Sequence, residues 1–220
     1  MKDIFKIAID GPGGAGKSTV AKKVAARLGI EYIDTGAMYR AFGLKLLRSG
    51  VEIADSAKLR DMLEKTVIDF ENGGVTLDGE DVSGLIRTPE ISKAASACSA
   101  ISAVREKMVK AQQKMGESKS VIMDGRDICE VVFPDAEYKY FLTASAEERA
   151  NRRYKELREK GSDISYEQVL ADIKTRDHND STRAASPMRK AEDAILLDTT
   201  SMTQDEVVEF ICSRVRKDNI

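Results

Sequence analysis

Gly11-Pro12-Gly13-Gly14-Ala15-Gly16-Lys17-Ser18 meets every fixed position of the phosphate-loop pattern G-x-x-x-x-G-K-[ST]. Its flanks suit it. Ile4-Phe5-Lys6-Ile7-Ala8-Ile9 is a short apolar run rich in β-branched residues and reads as a strand. Thr19 to Leu28 reads as a helix, with Val20, Val24, Ala25 and Leu28 at helical spacing. Strand, glycine loop and helix follow one another as this motif requires. Glycines let backbone N–H groups approach phosphate oxygens, and the helix that follows adds the positive end of its dipole. Lys17 can reach the β- and γ-phosphates, and the Ser18 hydroxyl can ligate Mg²⁺. The expected triphosphate contacts are Gly11, Pro12, Gly13, Gly14, Ala15, Gly16, Lys17, Ser18 and Thr19.

Outward from the loop, the remaining chain alternates between strand and helix. Glu31-Tyr32-Ile33, Val121-Ile122-Met123, Tyr138 to Leu142 and Ala194 to Leu197 read as strands; with the first they make five. Helices are expected over about Met38–Arg48, Ser56–Glu64, Ser102–Met115, Ala146–Lys160 and Ser165–Asp180. Another begins in its first turn at Pro89, and a C-terminal one opens at the capping box Thr203-Gln204-Asp205-Glu206. The pattern predicts an α/β fold, a five-stranded parallel sheet with helices on both faces and ligand at the strand C-terminal ends. One stretch differs. Val67 to Glu71, Val75 to Leu77 and Glu80 to Val82 are short strands joined by Asn72-Gly73-Gly74 and Asp78-Gly79. That is an antiparallel meander, and it predicts an inserted lobe from about residue 35 to 105.

The 220 residues carry 35 basic and 37 acidic side chains, a net charge of −2. That balance argues against long nucleic acid or an anionic membrane as main partner. Cys98, Cys129 and Cys212 are odd in number and form no C-x-x-C, which favours a reducing, cytoplasmic setting. Met1-Lys2-Asp3-Ile4 runs almost at once into the first strand, leaving no room for a signal peptide, and no apolar run approaches a membrane span. His178 is the sole histidine, so neither a histidine-based triad nor a multi-histidine metal site can be assembled.

Three features point from nucleotide binding to phosphoryl transfer. Asp124 ends a buried strand, where such sheets hold an acid supporting the Mg²⁺ shell, directly or through water; Gly125 follows it rather than a water-activating glutamate. Arg149, Arg152 and Arg153 share one helical face before the Gly161-Ser162 break and can close over a triphosphate. Arg176, Asp180 and Arg183 share another face, two guanidiniums and a carboxylate suited to a monophosphate beside a sugar. Arg126-Asp127 repeats that pairing at a strand end.

These stretches resemble the bacterial cytidylate kinases, short nucleoside monophosphate kinases acting on CMP and dCMP, essentially end to end. The similarity lies in Ile9 through Ser18, Asp34-Thr35-Gly36-Ala37-Met38-Tyr39-Arg40, Gly79 to Ser83 with Ile86-Arg87-Thr88, Asp124-Gly125-Arg126-Asp127, Val132-Phe133-Pro134-Asp135 and Arg176 through Arg183. Thr35 stands where many members have serine; both carry a hydroxyl. The resemblance implies a core over 1–34, 106–148 and 166–220, a CMP-binding lobe over 35–105 and a lid over 149–165. It implies that Arg40, Arg126 and Arg183 clamp the CMP phosphate. Ser96, Arg105 and Asp127 would read cytosine, Asp180 would contact the sugar with Arg176 nearby, and Thr35 would join the substrate set. Lys17, Arg149, Arg152 and Arg153 would serve catalysis, with Ser18 and Asp124 toward Mg²⁺ and ATP as donor. A monomer with small-molecule partners alone is implied. Within enzymes the alternative is a broader kinase acting on UMP as well. From another class it is a GTPase-type switch, though N-K-x-D is absent and D-x-x-G (Asp81 to Gly84) lies beside the meander.

Overall fold

The protein is described from a computed structural model covering residues 4–71, 73–159 and 161–218. Met1 to Asp3, read as leading into the first strand, Asn72 of the first meander turn, and Lys160 at the end of the helix expected from Ala146 lie outside the described residues. The chain divides into two compact units, one made of 1–32 with 118–220 and the other of 33–117.

The first unit is built on the parallel sheet. Its strands are β1 (Lys6–Asp10), β2 (Glu31–Asp34, where the chain passes into the second unit), β6 (Val121–Gly125), β7 (Tyr138–Thr143) and β8 (Ile195–Asp198). Their order is β2-β6-β1-β7-β8, with β1 pairing parallel to β6 and β7. Ile7, Ala8 and Ile9, and Val121, Ile122 and Met123, are all buried. Such unbroken apolar runs are what strands covered on both faces require. Helix α1 (Lys17–Leu28) and helix α8 (Gln204–Asp218) supply one cover: Val20, Ala21, Val24 and Ala25 join Val207, Val208, Ile211, Cys212 and Val215 in one apolar cluster with Ile7, Ile9 and Tyr140. Each fully buried aliphatic side chain there contributes about 1.5–3 kcal/mol. The Thr203–Glu206 capping box at the start of α8 is formed as expected, each residue's side chain accepting from the other's backbone N–H.

Between β6 and β7 lies a π-helical turn, Ile128–Val132, which the apolar pattern does not reveal. It is held by local and long-range bonds: Val132 N–H returns to the Asp127 carbonyl, and Asp10, more than a hundred residues earlier, accepts the N–H groups of Ile128 and Cys129. Helices α6 (Ala146–Glu159) and α7 (Tyr166–Thr182) pack on each other, and Arg183 forms the C-cap of α7.

The second unit runs from Ile33 to Glu117. It holds α2 (Thr35–Ser49), α3 (Ala57–Glu64), the antiparallel strands β3 (Ile68–Glu71), β4 (Gly74–Leu77) and β5 (Glu80–Asp81), then α4 (Pro89–Cys98) and α5 (Ser102–Met115). All of α5 belongs here, whereas the sequence boundary at 105 passed through it. Asp78 and Gly79 both have positive φ, the conformation a tight hairpin turn needs. Ile68 and Phe70 turn inward while Asp69 and Glu71 are exposed, so β3 alternates as a one-faced sheet should. The unit has its own cores, one around Phe42, Leu46, Leu59, Leu63 and Met108 and another around Val75, Leu77, Val82 and Ile86.

Candidate active site

The phosphate loop leaves β1 at a point with no room for a side chain. A Cβ on Gly11 would stand 1.9 Å from the Leu142 carbonyl oxygen, and its φ of +140° disfavours any L-residue. The loop ends at Gly16, the N-cap of α1, which makes no side-chain cap bond; no acidic residue stands in the first turn. The helix therefore presents open N–H groups and its positive end to an anion. Ala15 is buried in the loop, and Thr19 is exposed on α1.

Lys17 is the first residue of α1, buried, with Nζ donating to the Pro12 carbonyl at 2.8 Å. Burial and then the charge of Arg126, with Arg176 adding to it, pull its pKa down to about 7 against the opposing carboxylates of Asp124 and Asp10. Ser18 Oγ donates to Asp124 Oδ2 at 2.9 Å, and Tyr32 OH donates to Asp124 Oδ1 at 2.7 Å. A hydroxyl and a carboxylate are hard oxygen donors of the kind Mg²⁺ takes. Among the described residues no group of three or more His, Cys, Asp or Glu side chains forms a metal cage. The donors present thus fit an ion carried mainly by its phosphates.

Beside this loop stand the arginines that the sequence grouped. Asp180 is their centre: Arg126 Nε lies 2.8 Å from Oδ2, Arg176 Nε 3.9 Å from Oδ2, and Arg183 Nη1 3.9 Å from Oδ1. Arg183 Nη2 also lies 3.8 Å from Asp127 Oδ1. Burial alone would raise the Asp180 carboxyl, but the charges of Arg126, Arg176 and Arg183 and the Arg126 hydrogen bond outweigh it and hold the group below the usual carboxylate range. Three guanidiniums against two carboxylates leave one positive charge in excess, a setting that favours an anion. The cluster also touches the donor loop: a Cβ on Gly13 would stand 3.4 Å from Arg126 Nη2 and 3.8 Å from Arg176 Nη1.

The three arginines of α6 go separate ways. Arg149 is buried, donating to the carbonyls of Ala144 (2.9 Å) and Gly13 (3.0 Å) and to Asp177 Oδ2 (2.6 Å). Arg152 donates to Glu148 and to the Thr199 carbonyl. Arg153 pairs with Glu156 at the surface. Arg149 alone of the three reaches the phosphate loop through a described hydrogen bond.

Within the second unit, Asp34 caps α2 by accepting from Ala37 N–H, placing Thr35, buried, at the helix start. Both Asp34 oxygens lie 3.1 Å from Arg40 Nη2, and Oδ2 also accepts from Arg87 Nη2 at 3.1 Å. Ser96 lies on α4, its carbonyl accepting from Ser99 Oγ. Arg105, buried on α5, donates to the Ser99 carbonyl at 3.1 Å and covers the Tyr39 ring. The D-x-x-G stretch is a local turn, with Asp81 accepting from Ser83 N–H and Ser83 Oγ from Val75 N–H.

The structure therefore brings together Lys17, Ser18, Asp124, Arg126, Asp127, Arg149, Arg176, Asp180 and Arg183 in the first unit; Thr35, Arg40, Ser96 and Arg105 belong to the second. Asp10, Arg87 and Asp177 lie within the stretches that carried the resemblance but were given no role there, and Tyr32 was read only as part of a strand.

A glycine loop between the first strand and first helix of a five-stranded parallel sheet, with a lysine and a serine–aspartate pair at its mouth, defines a P-loop kinase fold. A gluconokinase from Sinorhizobium meliloti 1021 shares it at a TM-score of 0.51, with 12% identity over all of this chain and 95% of that one. The family model for cytidylate kinase matches residues 7–217. The cytidylate kinase of Caldanaerobacter subterraneus subsp. tengcongensis is 56% identical over 96% of this chain and 95% of its own length. That of Clostridioides difficile strain 630 is 50% identical over 95% and 97%. The chain belongs to the cytidylate kinase family.

Proposed function

We propose that the protein transfers the γ-phosphoryl group of ATP in line to the 5′-phosphate of CMP or dCMP, giving ADP and CDP or dCDP. The observation that carries this reading is the closeness of Arg126, a member of the cationic cluster around Asp180, to Gly13 of the donor loop. A phosphate drawn to that cluster would lie next to the group it attacks. The acceptor oxygen is already ionised, so no general base is needed. Catalysis is positioning and charge neutralisation. The loop N–H groups and Lys17 hold the donor phosphates, and Lys17 regains its full charge as an anion replaces the Pro12 carbonyl. Mg²⁺, held by Ser18 and supported by Asp124, supplies further neutralisation of the triphosphate when bound. Arg126 and Arg183 clamp the acceptor phosphate, with Asp180 on the sugar and Arg176 nearby; Arg40 and Thr35 of the second unit are the further contacts that the resemblance implies. Arg149 holds the loop at Gly13 in this structure, and Arg152 and Arg153 complete the lid over 149–165. The unit over 33–117 carries Thr35, Arg40, Ser96 and Arg105, and the other unit carries the ATP loop together with Arg126, Asp127, Asp180 and Arg183.

Base choice follows from hydrogen-bond polarity. Cytosine offers an amine beside N3, and uracil reverses both sites. Asp127 accepts from the amine, and Arg105 or Ser96 donates to N3. Two mismatched buried partners, at about 1–3 kcal/mol each, give roughly a hundredfold preference against UMP. The working setting is cytoplasmic and the chain a monomer. All three cysteines are buried without a disulfide, and among the described residues no helix is long and apolar enough to cross a membrane.

A coupled ADP-release assay with CMP, dCMP, UMP and AMP tests this. Turnover with CMP and dCMP is expected; equal turnover with UMP establishes the broader pyrimidine kinase instead. Asp127→Ala is expected to raise the CMP KM and erase most of the CMP-over-UMP preference.

A further inference from the structure

Asp10 ends β1 directly before the glycine loop, and both of its carboxylate oxygens are taken up by backbone amides outside that loop. It is 1% exposed. Oδ1 accepts from Ile128 N–H and Oδ2 from Cys129 N–H, each at 2.8 Å. Both oxygens are thus spent on the two residues that follow Arg126-Asp127. On the other side, the Asp127 carbonyl accepts from Val131 and Val132 N–H. The Cys129 thiol, packed beneath, donates to the Ala8 and Tyr140 carbonyls of the sheet. The backbone at Asp127 is consequently gripped from both ends, and one of the two grips is a carboxylate from the strand that carries the donor loop.

A buried carboxylate is expensive to keep. Burial pushes Asp10 up to about 6, with the nearby Asp127 charge adding, although its two backbone hydrogen bonds pull the other way. An apolar residue would avoid that desolvation but leave the buried Ile128 and Cys129 amides without their acceptor. The carboxylate's return is geometric, since π-helical turns are rare and need something to hold them.

We propose that Asp10 is a positioning residue for acceptor selection: its bidentate grip on the Ile128 and Cys129 amides sets where the Arg126 and Asp127 side chains stand. One residue then joins the two halves of the site. Its main chain leads into the ATP loop and its side chain holds the segment that reads CMP. This rests on the reading of Asp127 as the base-reading carboxylate.

Asp10→Asn tests it. The amide keeps one acceptor but turns an NH₂ toward the other backbone N–H, so half the grip becomes repulsive. The CMP KM is expected to rise about tenfold and the CMP-over-UMP preference to fall by a similar factor, with the ATP KM changed less than about twofold. A purely structural role would lower the melting temperature and kcat while leaving base preference intact, and that result overturns the proposal. If Asp127→Ala relaxes base choice and a folded Asp10→Asn does not, the Asp10 assignment alone fails. If Asp127→Ala leaves the preference whole, the reading beneath it fails. Hydrogen exchange on the wild-type protein gives a check that does not depend on how the variant folds. The Ile128 and Cys129 amides should be protected as well as those of β6, and exchange at open-loop rates overturns the grip.

Discussion

The two sheets obey different rules. In the parallel sheet nearly every residue of β1 and β6 is buried, and the chemistry gathers where those strands end, at Asp10, Asp124 and the loops behind them. In the three-stranded sheet inward and outward residues alternate along β3, the turns are tight, and β5 is two residues long. The inserted unit's candidate site residues are borne by its helices, not by its strands. The difference is one of burial. A strand covered on both faces can hold a desolvated acid such as Asp10 in place, whereas a one-faced sheet leaves its polar residues in water, where charges are screened.

Gly11→Ala strikes the first sheet hardest. The added methyl meets the Leu142 carbonyl while the backbone is held at positive φ, so strain and overlap together cost well above about 3 kcal/mol. Little folded protein should be recovered, as circular dichroism and a melting scan would reveal; a stable, active variant would mean the loop has another path past β7. Leu59→Ala does the same for the inserted unit. Leu59 is fully buried, and its loss should cost about 3 kcal/mol. Hydrogen exchange should quicken in β3, at Ile68 and Phe70, and stay slow at Ile7 and Ile9. Equal loss in both sheets would show that the two units share one cooperative core.

The smallest effect belongs to Asp10 and pH. Its folded pKa lies above the unfolded value, so the native state takes up a proton first as pH falls through about 6. The stability difference between wild type and Asp10→Asn should therefore widen by about 2 kcal/mol as pH falls from 6 to 4 and be constant above pH 7. Parallel stability curves for the two proteins would place the Asp10 carboxylate in a wetter site.

Much of this was legible in the chain. The glycine loop, five apolar runs, the meander and the capping box at Thr203 are local patterns, each confined to a few residues. The grouping of Arg176, Asp180 and Arg183 followed from helical spacing alone, and the structure brings them together around one carboxylate. Spacing served less well for Arg149, Arg152 and Arg153. Neighbours on one helix turn, they end on Gly13, Thr199 and Glu156, because a long guanidinium takes the acceptor that the surrounding fold offers it.

Periodicity, turn chemistry and one loop motif determined the class of fold and the presence of a phosphate site, since these are set by backbone preferences acting over a few residues. The strand order, the winding of the turn after Asp127, the sharing of Asp34 between Arg40 and Arg87, and the task of Asp10 were decided only in three dimensions. Each depends on groups tens to more than a hundred residues apart, and a buried polar atom finds its partner only once the rest of the chain has closed around it.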